Sequence, residues 1–574
     1  MKKAILFILA VVCLSFAYAS YSDALYFNPS WLSALVLLAL LSIAAFFVDP
    51  SSEFGTAWFA ACAALTLLVL FAYYYYVFGA WVPLQLASAA IATLLVYLAS
   101  RYALRRRRLG PYARFAAVVA LSAAIALAAY VVLFSSNLLV STSDEVAYNY
   151  YAAALFLAGK NPYTSSMMPI MARLSMVPTA SLNGSYEYAY GYPPLSFIDF
   201  LPVSLIVPPS QAVWFPSILL GLFICTCASF FVYCRSGFNK YSLMLMFAWL
   251  SMVGQTAYHV PQYAAISLLL TIAYAERRRP YLSGALLGIA ACTVQLAWPA
   301  LPFFYVLALR EHGRRHAIVQ VASSAAASLL AASYFIAMSP HSTISNILLL
   351  VGQGGFLPSG INIGQLSMVL FPLPLWYFTA LAGVVYVLML LLFYSDTRSF
   401  SPLIAVAPFL LYFLSTRNQP YYAMPFIPLL IGVYYCGRPT AGRRLRFYKI
   451  VPGIAGAAIL LLAAVAVLLH GAYASYPLIT ISGASINATS NYSEISGTVY
   501  NNYAANQTVS FIVLTSNPPR EEYYAGPNAV TVPSHTGYRF AVEIGIPPNE
   551  LSGSTRAIVI AMSSDYTAYV QIAR

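Results

Sequence analysis

Long apolar runs recur along most of the chain and are separated by short polar segments. A helix needs about 20 mainly apolar residues to cross the hydrocarbon core of a bilayer. We therefore predict a polytopic α-helical membrane protein with about 13 transmembrane helices. After residue 470 the pattern changes to short segments that alternate apolar and polar positions, with frequent Asn, Ser, Thr and Gly between them.

This change of pattern divides the chain into three regions. Residues 1–114 contain four apolar runs and a basic segment, and residues 115–470 contain the other runs and one long loop at 135–193. Residues 471–574 contain about seven alternating segments, which is typical of a β-sandwich. We expect this domain to be immunoglobulin-like. It contains no cysteine, so we expect no disulfide in it.

Basic loops indicate how the apolar runs are oriented. Lys and Arg concentrate in four segments, at 101–114, 276–279, 310–315 and 437–449. Because short cytoplasmic loops are rich in basic residues, we assign all four to the cytoplasm. The N terminus is then cytoplasmic, and the 135–193 loop and the C-terminal domain are extracytoplasmic. The net charge of +13 thus reflects membrane orientation and gives no reason to expect a nucleic-acid partner.

Three apolar stretches need separate treatment. Residues 281–309 lie between two basic loops and are short for two full crossings, so we predict two short helices broken near Gln295–Pro299. Residues 194–209 contain Asp199 and several prolines, and we expect them not to span fully. The first segment has signal-peptide features, with a basic start and Ala-Tyr-Ala at 17–19. We favour a retained helix over a cleaved one.

The composition supports the membrane assignment and draws attention to one acidic pair. The chain is 61% hydrophobic and 8% charged, against roughly 25% charged in soluble domains. The stretch STSDEVAYNYYAAALFLAGKNPY, residues 141–163, nevertheless places Asp144 beside Glu145 at the start of the long loop. A hydroxyl residue before the acids and Gly159 after the apolar positions predict a helix over 143–159.

Two explanations account for these adjacent carboxylates. Acids in the first turn of a helix complement its dipole, which stabilises the helix by some tenths of a kcal/mol. However, Asp144 and Glu145 follow an apolar run directly, at the outer membrane boundary. Ionised groups at such positions are rarely retained for packing alone, and this favours a functional role.

Other polar residues fall at the same outer boundary. Arg417, in STRNQPYY, lies outside, against the orientation of the other short-loop arginines. Its guanidinium suits a phosphate, although an exposed interfacial charge is the alternative. His259 and Gln262, in AYHVPQ, fall at an outer turn, where a structural histidine is the alternative. The motif GYPPL at 191–195 closes the long loop.

In combination these motifs resemble the glycosyltransferase-C superfamily. The likeness is to polyprenyl-phosphate-dependent hexosyltransferases related to protein O-mannosyltransferases and bacterial polyprenol-mannose transferases. It rests on Asp-Glu after a membrane helix, an amphipathic helix ending in GKNPY, YPPL before the next helix, and the short-helix pair. It covers roughly residues 115–436. Gln295 stands where many relatives carry lysine, and Pro261-Gln262 stands where some carry Gly-Gln.

The resemblance implies an enzyme that moves a mannose-like hexose, with inversion, from a polyprenyl-phosphate donor to an acceptor hydroxyl outside the membrane. We predict no resident cofactor, with a divalent metal left open but not indicated by the sequence, and the acceptor stays open among a glycan, a protein and a lipid. Asp144 would be the general base, and Glu145 would orient the acceptor or hold Asp144. Arg417 would bind the donor phosphate, with Tyr421 or Tyr422 nearby. The residues assigned to the sugar or acceptor are Lys160, Asn161, Tyr163, Tyr192, His259 and Gln262.

The residues alone also leave two other functions open. A lipid or solute transporter, or a flippase, would likewise be polytopic and retain rare intramembrane charge. The sequence shows no inverted repeat and few charges inside apolar runs, which argues against an ion-coupled pump. The remaining alternative is a non-catalytic membrane scaffold that displays the β-sandwich.

Overall fold

The structure is a computed structural model of the 574-residue chain. It describes residues 144–174, 179, 187–206, 214–235, 261–349, 359–360, 362–363, 373–418, 422, 425–435, 457–458, 461–470, 479–488, 493–517, 520–525, 530–544, 556–562 and 567–573, together with Ala120 and Ala123. The four predicted N-terminal helices and the basic segments at 101–114 and 437–449 lie outside the described residues.

Helices dominate the described part before residue 471. In chain order they are α1 (Asp144–Leu157), α2 (Met168–Leu174), α3 (Leu201–Ile206), α4 (Trp214–Arg235), α5 (Pro261–Ala275), α6 (Pro280–Thr293), α7 (Leu301–His312), α8 (Arg314–Met338), α9 (Pro340–Leu349), α10 (Leu375–Ser395), α11 (Leu403–Leu414), α12 (Phe426–Tyr435) and α13 (Leu461–His470). Short 3₁₀ helices occur at Pro162–Thr164, Ile198–Phe200 and Gln295–Ala300. A parallel two-strand contact joins β1 (Ser359–Gly360) to β2 (Arg417–Asn418).

Two helices in the described region, α8 and α10, are long and apolar enough to cross a membrane. Helices α5, α6, α11 and α13 are apolar but shorter. The protein is thus mostly helical before residue 471, with helices suited to a membrane. The number of crossings and their orientation stay predictions.

The short-helix pair forms where the sequence predicts it. Helix α6 ends at Thr293, a 3₁₀ segment containing Pro299 follows, and α7 begins at Leu301. Gly284 and Gly288 allow helix α6 to pack closely on α8. A Cβ atom at either position would collide with a backbone oxygen of α8. In the run at 194–209, the described elements are the 3₁₀ helix at Ile198–Phe200 and α3 at Leu201–Ile206. Residues 207–209 lie outside the described residues, so the expectation that this run does not span fully stays a prediction.

The described part of the C-terminal region contains eight strands. They are β3 (Ile479–Ala488), β4 (Ser493–Asn501), β5 (Gln507–Asn517), β6 (Arg520–Ala525), β7 (Val530–Val532), β8 (Thr536–Ile544), β9 (Arg556–Met562) and β10 (Thr567–Ala573). One antiparallel sheet has the order β3-β4-β8, and the other has the order β10-β9-β5-β6, with β7 also paired to β5.

Alternation along the strands builds a shared core between these sheets. On β5, Val509, Phe511 and Val513 are buried, in the period of two that one strand face requires. Phe511 stacks on Phe540 of β8 with ring centroids 4.6 Å apart, so the two sheets meet through their apolar faces. This core shares no residue with the core of the helical region.

Candidate functional site

Local signals fix the C-terminal end of α1, the helix that carries the acidic pair. It begins at Asp144 and ends at Leu157, within two residues of the predicted 143–159 at either end. Gly159 has a φ of +72°, a conformation that glycine adopts without a Cβ penalty. The N–H groups of Gly159 and Lys160 donate to Phe156 and Leu155 at 3.0 and 2.9 Å, the pattern of a Schellman C-terminus.

Asn149, one turn after the acids, fixes the rotation of α1. It is fully buried. Its side-chain nitrogen donates to the backbone oxygen of Glu145 at 2.8 Å, and its side-chain oxygen accepts the Tyr190 hydroxyl at 2.7 Å. The first turn of α1 is thereby tied to the segment that leads into GYPPL.

The two adjacent acids have opposite environments. Asp144 is half-buried, and its two carboxylate oxygens accept the Glu145 N–H at 2.9 Å and the Thr179 hydroxyl at 3.1 Å. Glu145 is 7% exposed. Both of its oxygens lie 3.0 Å from the Tyr263 hydroxyl, which comes from the first turn of α5.

The burial of Glu145 changes its pKa. Burial, and secondly the charge of Asp144, raise the pKa of Glu145 to about 8. The Tyr263 hydrogen bond, the Arg417 charge and Tyr192 act in the opposite direction, but they do not outweigh burial. At neutral pH Glu145 therefore retains its proton, and Asp144 is the more exposed of the two acids.

The positive charge that acts on Glu145 comes from Arg417, in a distant part of the chain. Arg417 is half-buried in β2, where it lies opposite Ser359 in the parallel contact. The side-chain nitrogen of Asn362 donates to the Thr416 backbone oxygen at 3.0 Å, and the Ser415 hydroxyl donates to the Arg417 backbone oxygen at 3.0 Å. These bonds fix the backbone around Arg417, whose positive charge acts on Glu145.

Tyrosine side chains complete the surroundings of the acids. Tyr263 packs against Tyr422 with centroids 6.0 Å apart, and Tyr422 packs edge-on against Tyr412 at 5.5 Å. Tyr192, from GYPPL, interacts electrostatically with Glu145, Asp144 and Tyr422. We call the resulting group the acid-pair cluster, and its members are Asp144, Glu145, Tyr192, Tyr263, Arg417 and Tyr422.

Gln262 lies beside this cluster with unused hydrogen-bonding capacity. It is fully buried in the first turn of α5, next to Tyr263. Neither its amide nitrogen nor its amide oxygen has a hydrogen-bond partner among the described residues. A buried polar group without a partner costs roughly 1–3 kcal/mol, so Gln262 offers a donor and an acceptor to a bound ligand.

The predicted sugar-site residues of GKNPY are engaged differently. Lys160 is exposed. Asn161 caps the 3₁₀ turn by accepting the Tyr163 N–H at 3.0 Å, although its amide nitrogen has no partner in the described region. The Tyr163 hydroxyl donates to the Tyr192 backbone oxygen at 2.7 Å, and its ring packs on Tyr190. His259 and Tyr421 lie outside the described residues.

Gln295, in the break of the short-helix pair, also binds this loop. Its amide nitrogen donates to the Gly191 oxygen at 2.6 Å and to the Ile347 oxygen of α9 at 3.1 Å. Asn346 of α9 donates to the Tyr163 oxygen at 3.0 Å. These contacts form a second group, the loop anchor, which holds the GYPPL backbone. Its members are Asn161, Tyr163, Gly191, Gln295, Asn346 and Ile347.

The fold brings together five residues that the sequence predicted for the site: Asp144, Glu145, Tyr192, Arg417 and Tyr422. Three residues that hydrogen-bond to the acids or to the backbone of Glu145 were not predicted: Tyr263, Thr179 and Asn149. Tyr263 directly follows Gln262, but one tyrosine among 46 carries no local signal that it meets a carboxylate. The described residues include no group of three or more His, Cys, Asp or Glu side chains arranged to hold a metal ion.

Comparisons of the chain with protein-family models, with curated proteins and with solved structures return no match in any of the three.

Proposed function

We propose that this protein is an integral-membrane glycosyltransferase that moves a hexose from a polyprenyl-phosphate carrier to an acceptor hydroxyl at the outer membrane face. The observation that carries the proposal is the acid-pair cluster. In this cluster a half-buried carboxylate, Asp144, and a guanidinium, Arg417, both act on the buried carboxyl group of Glu145. A base and an anion-binding group in one site are what this transfer requires.

The proposed reaction is a single displacement with inversion. Asp144 takes the proton of the acceptor hydroxyl, and the acceptor oxygen forms a bond to the anomeric carbon of the sugar. The bond between that carbon and the phosphate oxygen breaks, and its electron pair stays with the phosphate. Arg417 stabilises the polyprenyl phosphate that leaves, because guanidinium binds phosphate through paired hydrogen bonds.

The protonated state of Glu145 suits this chemistry. The donor is an anionic phosphodiester, and its negative charge grows as it leaves. A second ionised carboxylate beside Asp144 would repel the donor at short range. With the pKa of Glu145 at about 8, the pair presents one base and one neutral hydrogen-bonding group at neutral pH. This supports the prediction that Glu145 orients the acceptor or holds Asp144.

Other cluster members supply surfaces for the sugar and the lipid. The rings of Tyr192, Tyr263 and Tyr422 combine apolar faces with hydroxyl groups, a combination suited to a sugar bound beside an isoprenoid chain. Gln262, with both amide atoms unpartnered in the described region, suits a sugar or acceptor hydroxyl, which donates and accepts hydrogen bonds.

The proposed setting is the cell membrane, with a cytoplasmic N terminus, about 13 crossings and an extracytoplasmic C-terminal domain. The apolar helices α8 and α10 support a membrane location. The antiparallel strand orders β3-β4-β8 and β10-β9-β5-β6 support the proposal that the C-terminal region is an immunoglobulin-like sandwich. We propose that this domain helps to dock the acceptor.

The decisive experiment offers purified protein in lipid nanodiscs a panel of polyprenyl-phosphate sugars, with Asp144→Asn as the control. We expect one donor to be cleaved, with release of polyprenyl phosphate and transfer or slow hydrolysis of the sugar. Movement of labelled lipid across vesicle membranes without any cleavage would instead establish a flippase. Absence of both activities across the panel would favour the scaffold.

A further inference from the structure

We infer that Tyr263 is the positioning residue of the acid pair, holding the Glu145 carboxyl in place so that Asp144 alone faces the acceptor as the base. This inference rests on the proposed function. Tyr263 was not among the residues that the sequence singled out. Its assignment comes from geometry, because its hydroxyl lies 3.0 Å from each oxygen of Glu145.

The Glu145 carboxyl is held from both ends. Its backbone is fixed by Asn149, whose own side chain is bonded to Tyr190. Only the side-chain torsions of Glu145 remain free, and a hydroxyl equidistant from both oxygens restricts these torsions as well. A swing of the carboxyl toward Asp144 would lengthen at least one of the two contacts.

Tyr263 is itself a rigid support. Its side chain is 3% exposed and lies in the first turn of α5. Its ring packs on Tyr422, which packs in turn on Tyr412 of α11. The hydroxyl is therefore fixed by elements other than α1, so it can orient a group on α1.

Charged and titratable groups from four segments of the described region act on Glu145. They are Asp144 on α1, Tyr192 in the GYPPL segment, Tyr263 on α5 and Arg417 on β2. Asp144 favours the neutral form of Glu145, whereas the other three favour the charged form. Loss of the Tyr263 hydroxyl should therefore raise the pKa of Glu145 further above its ordinary value.

Infrared spectroscopy of the protein in nanodiscs measures this effect without requiring activity. The band of a protonated carboxyl, assigned to Glu145 by its loss in Glu145→Gln, should titrate near pH 8 in the unmodified chain. In Tyr263→Phe the midpoint should rise by about one pH unit, as expected for loss of a hydrogen bond to a charged group. Tyr305→Phe is the control, because it removes a hydroxyl bonded to Ser324 at 2.8 Å and does not touch the acids.

The same variants should move the pH profile of sugar transfer. Ionisation of Glu145 adds a negative charge beside Asp144, so kcat/KM should fall above pH 8. Tyr263→Phe should shift that fall upward by about one unit, and Glu145→Gln should abolish it. A packing defect alone would lower the rate without moving the profile.

The outcomes separate this inference from the proposed function. An unchanged Glu145 midpoint in Tyr263→Phe, with the fold intact by thermal unfolding, overturns the role of Tyr263 whatever the activity. If the midpoint shifts while no donor is cleaved, Tyr263 still positions Glu145, and the glycosyltransferase proposal fails instead. Should Tyr263→Phe not fold, Tyr263→Met removes the same hydroxyl and takes its place in both measurements.

Discussion

The acid-pair cluster and the loop anchor both bind the segment around Tyr192, yet they use their polar groups in opposite ways. In the loop anchor, the side chains of Gln295 and Tyr163 donate hydrogen bonds to backbone oxygens of neighbouring segments. In the acid-pair cluster, Asp144 and Arg417 stay half-buried, and the adjacent Gln262 retains an amide without partners in the described region. The loop anchor thus positions the chain through buried and partly buried bonds to backbone oxygens, whereas the acid-pair cluster presents half-buried charges beside the Gln262 amide.

This contrast refines the assignments made from the sequence. Lys160, Asn161 and Tyr163 were predicted to contact the sugar. The Tyr163 hydroxyl is used to hold Tyr192, whereas Asn161 shapes the turn with its side-chain oxygen and keeps an amide nitrogen without a partner in the described region. Tyr192 belongs to both neighbourhoods, since the loop anchor fixes its backbone and its side chain faces the acids. We therefore expect chemical defects from changes in the acid-pair cluster and stability defects from changes in the loop anchor.

Asp144→Asn tests the acid-pair cluster with the largest expected effect. The substitution preserves size and the acceptor oxygen but removes basicity, so sugar transfer should fall by about 10²–10⁴-fold. The measurement is the turnover of the best donor from the panel. Folding should survive, because the Glu145 N–H and the Thr179 hydroxyl can still donate to the remaining side-chain oxygen.

Asp396→Asn is the control for loss of a carboxylate. Asp396 caps a turn by accepting the N–H groups of Arg398 and Ser399, so its substitution should affect stability more than turnover. Retention of a tenth of the original rate by Asp144→Asn would remove Asp144 from the role of base. Glu145 would then need to be considered in its place.

Arg417→Lys should weaken donor binding rather than abolish the reaction. Lysine keeps the charge but cannot form the paired bonds of a guanidinium. A hydrogen bond to a charged group is worth roughly 1.5–3 kcal/mol, so the donor Kd should rise about tenfold or more. Titration of the donor into the Asp144→Asn background isolates binding from turnover.

Arg398→Lys, on an exposed arginine, should leave the donor affinity unchanged. An equal affinity in Arg417→Lys would place the phosphate elsewhere, with Lys160 as the next candidate. The two lysine variants therefore show whether Arg417 differs from an ordinary surface arginine.

The sequence predicted features that local chemistry controls. The acids at the start of α1 and Gly159 at its end are cap signals. Pro299 marks the break in the short-helix pair, and alternation predicts the strands of the C-terminal region. The contact of Tyr263 with Glu145 was not predictable in this way. It depends on how the fold brings the first turn of α5 to the first turn of α1, and the local residue pattern of neither helix indicates this.

Gln295 illustrates the same limit in the loop anchor. In the resemblance to glycosyltransferase-C enzymes, Gln295 stands where many of them carry lysine. The structure gives its amide nitrogen two backbone acceptors, Gly191 and Ile347. Residue type alone could not distinguish a ligand contact from a bond within the protein, because a buried amide serves both purposes.

Gln295→Ala should therefore reduce stability with little direct effect on chemistry. It leaves the buried Gly191 carbonyl and the partly buried Ile347 carbonyl without the Gln295 donor, at a cost of roughly 1–3 kcal/mol. The free energy of unfolding should fall accordingly, and turnover should fall only as far as Tyr192 loses its position. Gln295→Lys should recover part of the stability, since an ammonium can donate to both carbonyls. Loss of turnover with unchanged stability would make Gln295 a ligand-binding residue.

Removal of the C-terminal region should affect donor cleavage least. Its core shares no residue with that of the helical region, and about 100 residues suffice for a β-sandwich with its own core. Residues 471–574 expressed alone should therefore give the circular dichroism of a folded β-protein, and a disordered spectrum would disprove this independence.

A chain ending at Gly471 should hydrolyse the donor at the full rate, because every member of the acid-pair cluster precedes residue 423. The same truncated chain should transfer less sugar to a large acceptor if the C-terminal domain docks that acceptor. Loss of hydrolysis in a folded, truncated chain would show that the β-domain completes the site, and the separation of chemistry from docking proposed here would be wrong.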